Sequence, residues 1–212
     1  MRTARIGSTA KLIALALTAA VLQAKAADTS RRHVEIESGM AAFDSGTNMP
    51  GIEVKGKSYD LSAHAEAAQE GNRLVLQSID ATVPIKSLTT GMKLRDEHMR
   101  KYIFTDSRGG QPNLHFAAES VACPAAVTPV VACAVAGTLS IRGVSRPFNV
   151  SLRIKDQVSA FKVEGDGVVK LSDYGIEAPS QFGVKPNNEV TIHLEFTGKQ
   201  KPQVVANAGV GK

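Results

Sequence analysis

Residues 148–154 read FNVSLRI, in which Phe148, Val150, Leu152 and Ile154 alternate with asparagine, serine and arginine. A period of two sends the apolar side chains to one face and the polar ones to the other. That is the signature of a strand with one buried and one wet face, paired antiparallel. The pattern recurs outward from this stretch, in VTIHLEF (190–196), LHFAA (114–118) and YDLSAHA (59–65). Val75, Ile79, Ala81, Val83 and Ile85 line one face of a further candidate strand, and Phe161, Val163, Gly165, Gly167, Val169 and Leu171 line another. Turn signals at Gly71-Asn72, Gly143 and Lys155-Asp156-Gln157 separate the runs. About eight strands result, at spacings typical of a sandwich or barrel. A single open sheet would leave an apolar face in water, so the sequence predicts a closed all-β fold. Glycines on an inward face, as at Gly165 and Gly167, predict a sharp bend or a ligand close to the backbone.

The ends of the chain read differently. Residues 1–26 carry Arg2, Arg5 and Lys11 ahead of an apolar run from Leu12 to Leu22, then the small-x-small triplet Ala24-Lys25-Ala26. This is the anatomy of a secretory signal peptide cleaved near Ala26, and the run is too short for the roughly 20 residues of a spanning helix. Of the 25 lysines and arginines, residues 1–26 hold four and no acid, which leaves 21 bases against 20 acids and lowers the net charge from +5 to +1. The remaining charges alternate in sign, without the clustered basic footprint of a nucleic-acid binder. The expected location is periplasmic or secreted. Residues 27–198 are expected to form one domain, and residues 199–212, KQKPQVVANAGVGK, lose all periodicity and read as a disordered tail.

Residues 89–104, TTGMKLRDEHMRKYIF, supply the strongest helical signal. Asp96–Arg100 and Glu97–Lys101 are i,i+4 pairs with the acid first, the better order for helix support. That spacing accounts for both acids as an exposed polar arc of a helix over 92–103. Met92, Met99 and Ile103 take the opposite arc, with Tyr102 beside them and Arg95 and His98 at its edges. Adjacent residues on a helix diverge, so Asp96-Glu97-His98 cannot converge into a catalytic triad. The chain has no G-x-S-x-G, no cysteine–histidine signature and no P-loop, so no catalytic residue is assigned. His33, His64, His98, His115 and His193 lack metal-ligand spacing, and no metal site is assigned. Cys123 and Cys133 flank PAAVTPVVA. In an oxidising compartment they predict a loop-closing disulfide worth roughly 2–3 kcal/mol, with free thiols as the alternative.

Three segments resemble the YceI-like family of exported lipocalin-like proteins. In VPIKSLTTGMKLRDEHMR (83–100), Val83, Ile85, Ser87, Thr90, Gly91, Arg95, Asp96 and His98 match the family's strand-to-helix motif. GTLSIRGVSRPFNV (137–150) resembles its hairpin, and LSDYGI (171–176), followed by EVTIHLEF, completes the match over residues 75–198. The opening strands depart from the family pattern, since RRHVEIESGMAAFDSGTNMPGIEVKG has no clean S-x-V-x-F-x-V-x-H equivalent, and the cysteine-bearing loop reads as an insertion.

The resemblance implies an extended antiparallel lipocalin-like barrel of about eight strands, with one short helix near its mouth. It implies a polyisoprenoid, isoprenoid quinone or other long-chain lipid as ligand, without catalysis or cofactor. The expected ligand-binding residues are Phe116, Phe148, Phe161, Val163, Tyr174 and Phe182 in the lumen and Met99 and Tyr102 at the mouth. Arg95 and His98 are expected to meet a polar head group. No nucleic acid and no stable membrane insertion are expected, and a homodimer is an option. The alternative reading is a filled barrel acting as a stress-protective or interaction protein.

Overall fold

The computed structural model describes residues 30–70, 73–124, 129–156, 160–180 and 182–202. The expected signal peptide, the turn at residues 71–72 and the tail from residue 203 lie outside them. Nine strands form one antiparallel sheet: β1 (Ser30–Gly46), β2 (Glu53–Ser58), β3 (Ser62–Glu70), β4 (Arg73–Val83), β5 (Leu114–Ala122), β6 (Val130–Ile141), β7 (Val144–Asp156), β8 (Phe161–Lys170) and β9 (Glu189–Pro202). β1 and then β3 to β9 follow one another as neighbours, and β9 returns to pair with β1 over Arg32–Asp44, closing an eight-stranded barrel. β2 is a ninth strand whose one strand partner among the described residues is the second half of β1. Closure removes the unpaired edges that an open sheet presents.

The alternation read from the sequence sets which side chains point in. Phe148, Val150 and Leu152 of β7 and Phe161, Val163 and Val169 of β8 are buried in the core, with Ile192, Leu194 and Phe196 of β9 packed against them. Three irregularities re-aim the strands. In β1 the register with β9 passes from Ile36 to Ser38, so Glu37 is an extra residue. Inward positions are even-numbered before it (Val34, Ile36) and odd-numbered after it (Ala41, Phe43). In β4 Gln77 is the extra residue, and Leu74 and Leu76 pack inward in place of the expected Val75. Opposite it in β5, Ser120 takes a left-handed conformation at φ 51°. Bulges of this kind bend a sheet and raise its twist, as closure demands.

Between β4 and β5 lies α1 (Lys93–Ile103), the one α-helix among the described residues. Asp96 is not part of an exposed arc, as the pair spacing predicted. It is buried, because its carboxylate accepts hydrogen bonds from the Thr89 hydroxyl (2.7 Å) and from both the backbone N–H and the hydroxyl of Thr90 (2.6 Å each). Gly91, at φ 78°, makes the turn into the helix. Thr89 and Lys57 exchange backbone hydrogen bonds of 2.9 Å. The helix is thus anchored through Thr89 to β2, and through β2 to β1.

The expected disulfide joins Cys123 and Cys133, with the sulfurs 2.05 Å apart, and both cysteines are buried. It lies at the end of the barrel opposite α1. The strand β9 runs on to Pro202, where pairing with β1 orders residues 199–202 that the loss of periodicity had assigned to the tail.

Candidate functional site

A cavity of about 630 Å³ opens at the helix end and runs into the barrel. Its walls are almost wholly carbon, and come from the helix-end and middle levels of the strands: Phe43, Ala81, Phe116, Leu139, Phe148 and Leu194 are among them. Below it the interior is filled. Phe161, Val163, Val135, Leu76 and the disulfide are buried but take no part in the lining, so among the described residues the barrel is a cup open at the helix end. An eight-stranded barrel is about wide enough to hold one small ligand.

Two phenylalanines lie against the wall instead of across the lumen, and glycines on neighbouring strands make room for them. A Cβ on Gly167 would come within 2.5 Å of the Phe148 ring, and one on Gly137 within 2.6 Å of the Phe116 ring. The two rings meet edge to face with centroids 6.0 Å apart. Gly165 and Gly167 therefore receive protein side chains, Leu152 and Phe148, in the space expected for a ligand close to the backbone.

Polar groups gather at the mouth. Arg95 and His98, on the face of α1 turned to the opening, join Thr90 and Glu53 in the lining. Arg95 donates a hydrogen bond to the Met92 sulfur, and the His98 ring packs edge to face on Tyr102 at 5.8 Å. Large apolar side chains also ring the opening: Ile52, Met92, Leu94 and Phe182 line it and are exposed. Asn48 clips the loop carrying Ile52 to the one carrying Phe182, donating to the Gly183 carbonyl (2.9 Å) and accepting from the Lys185 N–H (2.7 Å).

Burial by itself would push the Asp96 carboxyl up. The hydrogen bonds from Thr90 and Thr89, with the charge of Arg100, outweigh it and hold the group below the ordinary carboxylate value. The site's frame therefore contains a permanent carboxylate at neutral pH, but one turned into the protein and away from the cavity.

Of the ten residues expected to contact ligand, the structure brings Arg95, His98, Met99, Phe116, Phe148 and Phe182 to the cavity, the last at its rim and fully exposed. Four stand elsewhere. Phe161 and Val163 lie too near the filled end, where they pack as core. Tyr174 leaves β8's inward series in a 3-10 turn and lines a separate polar cleft with Arg108 and Arg142. Tyr102 projects outward from α1 and is exposed. Phe43 and Ile36, which the sequence reading did not select, line the cavity because the bulge at Glu37 turns both halves of β1 inward. The β9 positions Ile192, Leu194 and Phe196 were legible as one strand face, and they too form wall.

A model of the YceI-like domain matches residues 26–198. The fold is similar to a polyisoprenoid-binding domain from Saccharophagus degradans implicated in plant cell wall breakdown, with a TM-score of 0.57 at 14% identity, covering 79% of this chain and 98% of that one. It is also similar to BcnA of Burkholderia cenocepacia, with a TM-score of 0.54 at 13% identity and coverage of 74% and 95%. The YCEI protein of Campylobacter jejuni gives a TM-score of 0.56 at 19% identity, covering 73% and 89%. At these identities the likeness is one of fold. No curated protein matches the sequence.

Proposed function

Since the chain belongs to the YceI-like domain family, we propose that it is an exported binding or carrier protein for a polyisoprenoid, isoprenoid quinone or similar long-chain lipid, without catalysis. It acts in the periplasm after loss of residues 1–26. The observation that carries this reading is the apolar cavity of about 630 Å³ with its polar residues confined to one mouth. That volume lies within the roughly 300–1,000 Å³ of small-molecule sites, and its one-ended shape suits a ligand with a greasy tail and a polar head. The tail lies along Phe116, Phe148 and Met99, and the head group meets Arg95 and His98. The description of the Saccharophagus degradans domain as polyisoprenoid-binding supports the same ligand class.

Magnitudes fit a carrier. A tail of about 20 carbons, at the ~0.3 kcal/mol per atom typical of drug-sized ligands, gives ~6 kcal/mol, a Kd of roughly 40 μM. The full ~0.8 kcal/mol per buried methylene is an upper bound far above this, so affinity falls at tens of micromolar or tighter and release remains accessible. The cavity favours the carrier over the alternative of a filled barrel acting as a stress-protective or interaction protein.

The test is to purify the exported protein without detergent, extract it with organic solvent and identify co-purifying lipid by mass spectrometry. Added prenyl quinones are then titrated against the emptied protein. A stoichiometric long-chain lipid, or saturable binding of the quinone, is expected. The absence of both a co-purified lipid and quinone binding would defeat the proposal.

A further inference from the structure

On the outer wall of the barrel the start of β1 runs beside β3, with His33 directly opposite Glu66 and Glu35 directly opposite His64. Val34 between them packs inward, so these four side chains share the wet face. They form a square with histidines on one diagonal and glutamates on the other. His33 Nδ1 lies 2.6 Å from a Glu66 carboxylate oxygen, and His33 Nε2 lies 3.4 Å from Glu35. The two imidazoles stack within 15° of parallel, centroids 6.3 Å apart. One ligand atom each from His33, Glu35 and His64 falls within 4.8 Å of the others.

We propose that this square is a transition-metal site, taking Zn²⁺ or a similar borderline divalent cation on His33 Nε2, the Glu35 carboxylate and a His64 ring nitrogen. Two imidazoles and one carboxylate match the nitrogen–oxygen sets that zinc accepts, whereas magnesium and calcium take oxygen-only sets. Glu66 is a positioning residue. By accepting a hydrogen bond from His33 Nδ1–H it fixes the tautomer whose Nε2 lone pair can bind the ion, the carboxylate–histidine–metal arrangement common in such sites. Bonds of about 2.0–2.2 Å place tetrahedral ligand atoms roughly 3.3 Å apart. The group must therefore contract by about 1.5 Å at most, a shift within rotamer reach for side chains at directly paired strand positions. A fourth position is left for water.

The site is remote from the mouth and does not depend on the lipid-binding reading. Its ion would tie β1 to β3 where the first strand enters the barrel, close to its pairing with the end of β9.

Calorimetric titration of the untagged protein with Zn²⁺ in non-chelating buffer tests the proposal, alongside the Co²⁺ visible spectrum. One ion per chain is expected, with tetrahedral Co²⁺ bands. His64→Ala and Glu35→Gln should each weaken binding tenfold or more. Glu66→Gln should retain the Co²⁺ bands while losing about 10–100-fold in affinity. The first strand need not be disturbed, because His64 is exposed and its variant is expected to keep the wild-type thermal transition in the absence of metal. No Zn²⁺ binding, or binding that persists undiminished in the His33→Ala/His64→Ala double variant, would overturn the site. An unchanged affinity in Glu66→Gln would overturn the positioning role.

Discussion

A carboxylate beside two threonine hydroxyls and a peptide N–H gains hydrogen bonds that its ionised form accepts best. Asp96 is in that position, and its links to Thr89 and Thr90 hold α1 against the segment that pairs with β2. Asp96→Asn keeps the shape but replaces one accepting oxygen with an NH₂ facing donors, and should cost about 1–3 kcal/mol of stability. The folded pKa of Asp96 lies below its ordinary value, so the wild-type advantage is complete above the unfolded carboxylate pKa of about 4. It disappears as pH falls from there through the lowered folded value. Chemical denaturation of both proteins across pH 2–7 checks this. A stability gap that does not narrow in acid would contradict the assigned hydrogen bonds. Sequence reasoning placed Asp96 on a helix but gave it a solvent-exposed ion pair, since i,i+4 spacing carries no information about the Thr89-Thr90 turn folding back over it.

Elements with an uninterrupted period of two were legible before any coordinates, and β7, β8 and β9 appear where alternation put them. β1 was not legible, although it is the longest strand at 17 residues. Its inward positions change parity at Glu37, so Val34 and Ile36 belong to one register and Ala41 and Phe43 to another. A reader of either register alone sees half a strand. A bulge likewise misplaced Val75, whereas the His33–His64 square was hidden because it exists only across a strand pairing. Cavity-lining residues were legible by type but not by depth, because alternation tells inside from outside without locating the filled end. The glycines raise a prediction at this scale. Phe148 lies against the wall only because Gly167 has no side chain beneath its ring. Gly167→Val should push that ring into the lumen, cutting quinone binding tenfold or more while the barrel still folds. Intact circular dichroism with reduced binding is the expected pair of results, and undiminished binding would show that the ring does not border the bound tail.

The molecule as a whole is asymmetric along the barrel axis, and the asymmetry separates stability from binding. At one end, α1, β2 and the loops around Asn48 and Phe182 frame a mouth lined by Arg95 and His98. Among the described residues, the other end is filled by packed side chains and by the Cys123–Cys133 bridge. Removing the bridge releases a loop with a sequence separation of 10, a change worth roughly 2–3 kcal/mol through the unfolded chain. The bridge lines no part of the cavity. Cys123→Ser/Cys133→Ser should therefore lower the thermal midpoint by several degrees, yet leave the affinity for an added prenyl quinone within about twofold at temperatures where the variant is folded. Were the barrel a tube open at both ends, loosening the disulfide end would instead change binding as much as stability. Measuring both quantities on the same variant, at a temperature well below its transition, distinguishes a cup from a tube.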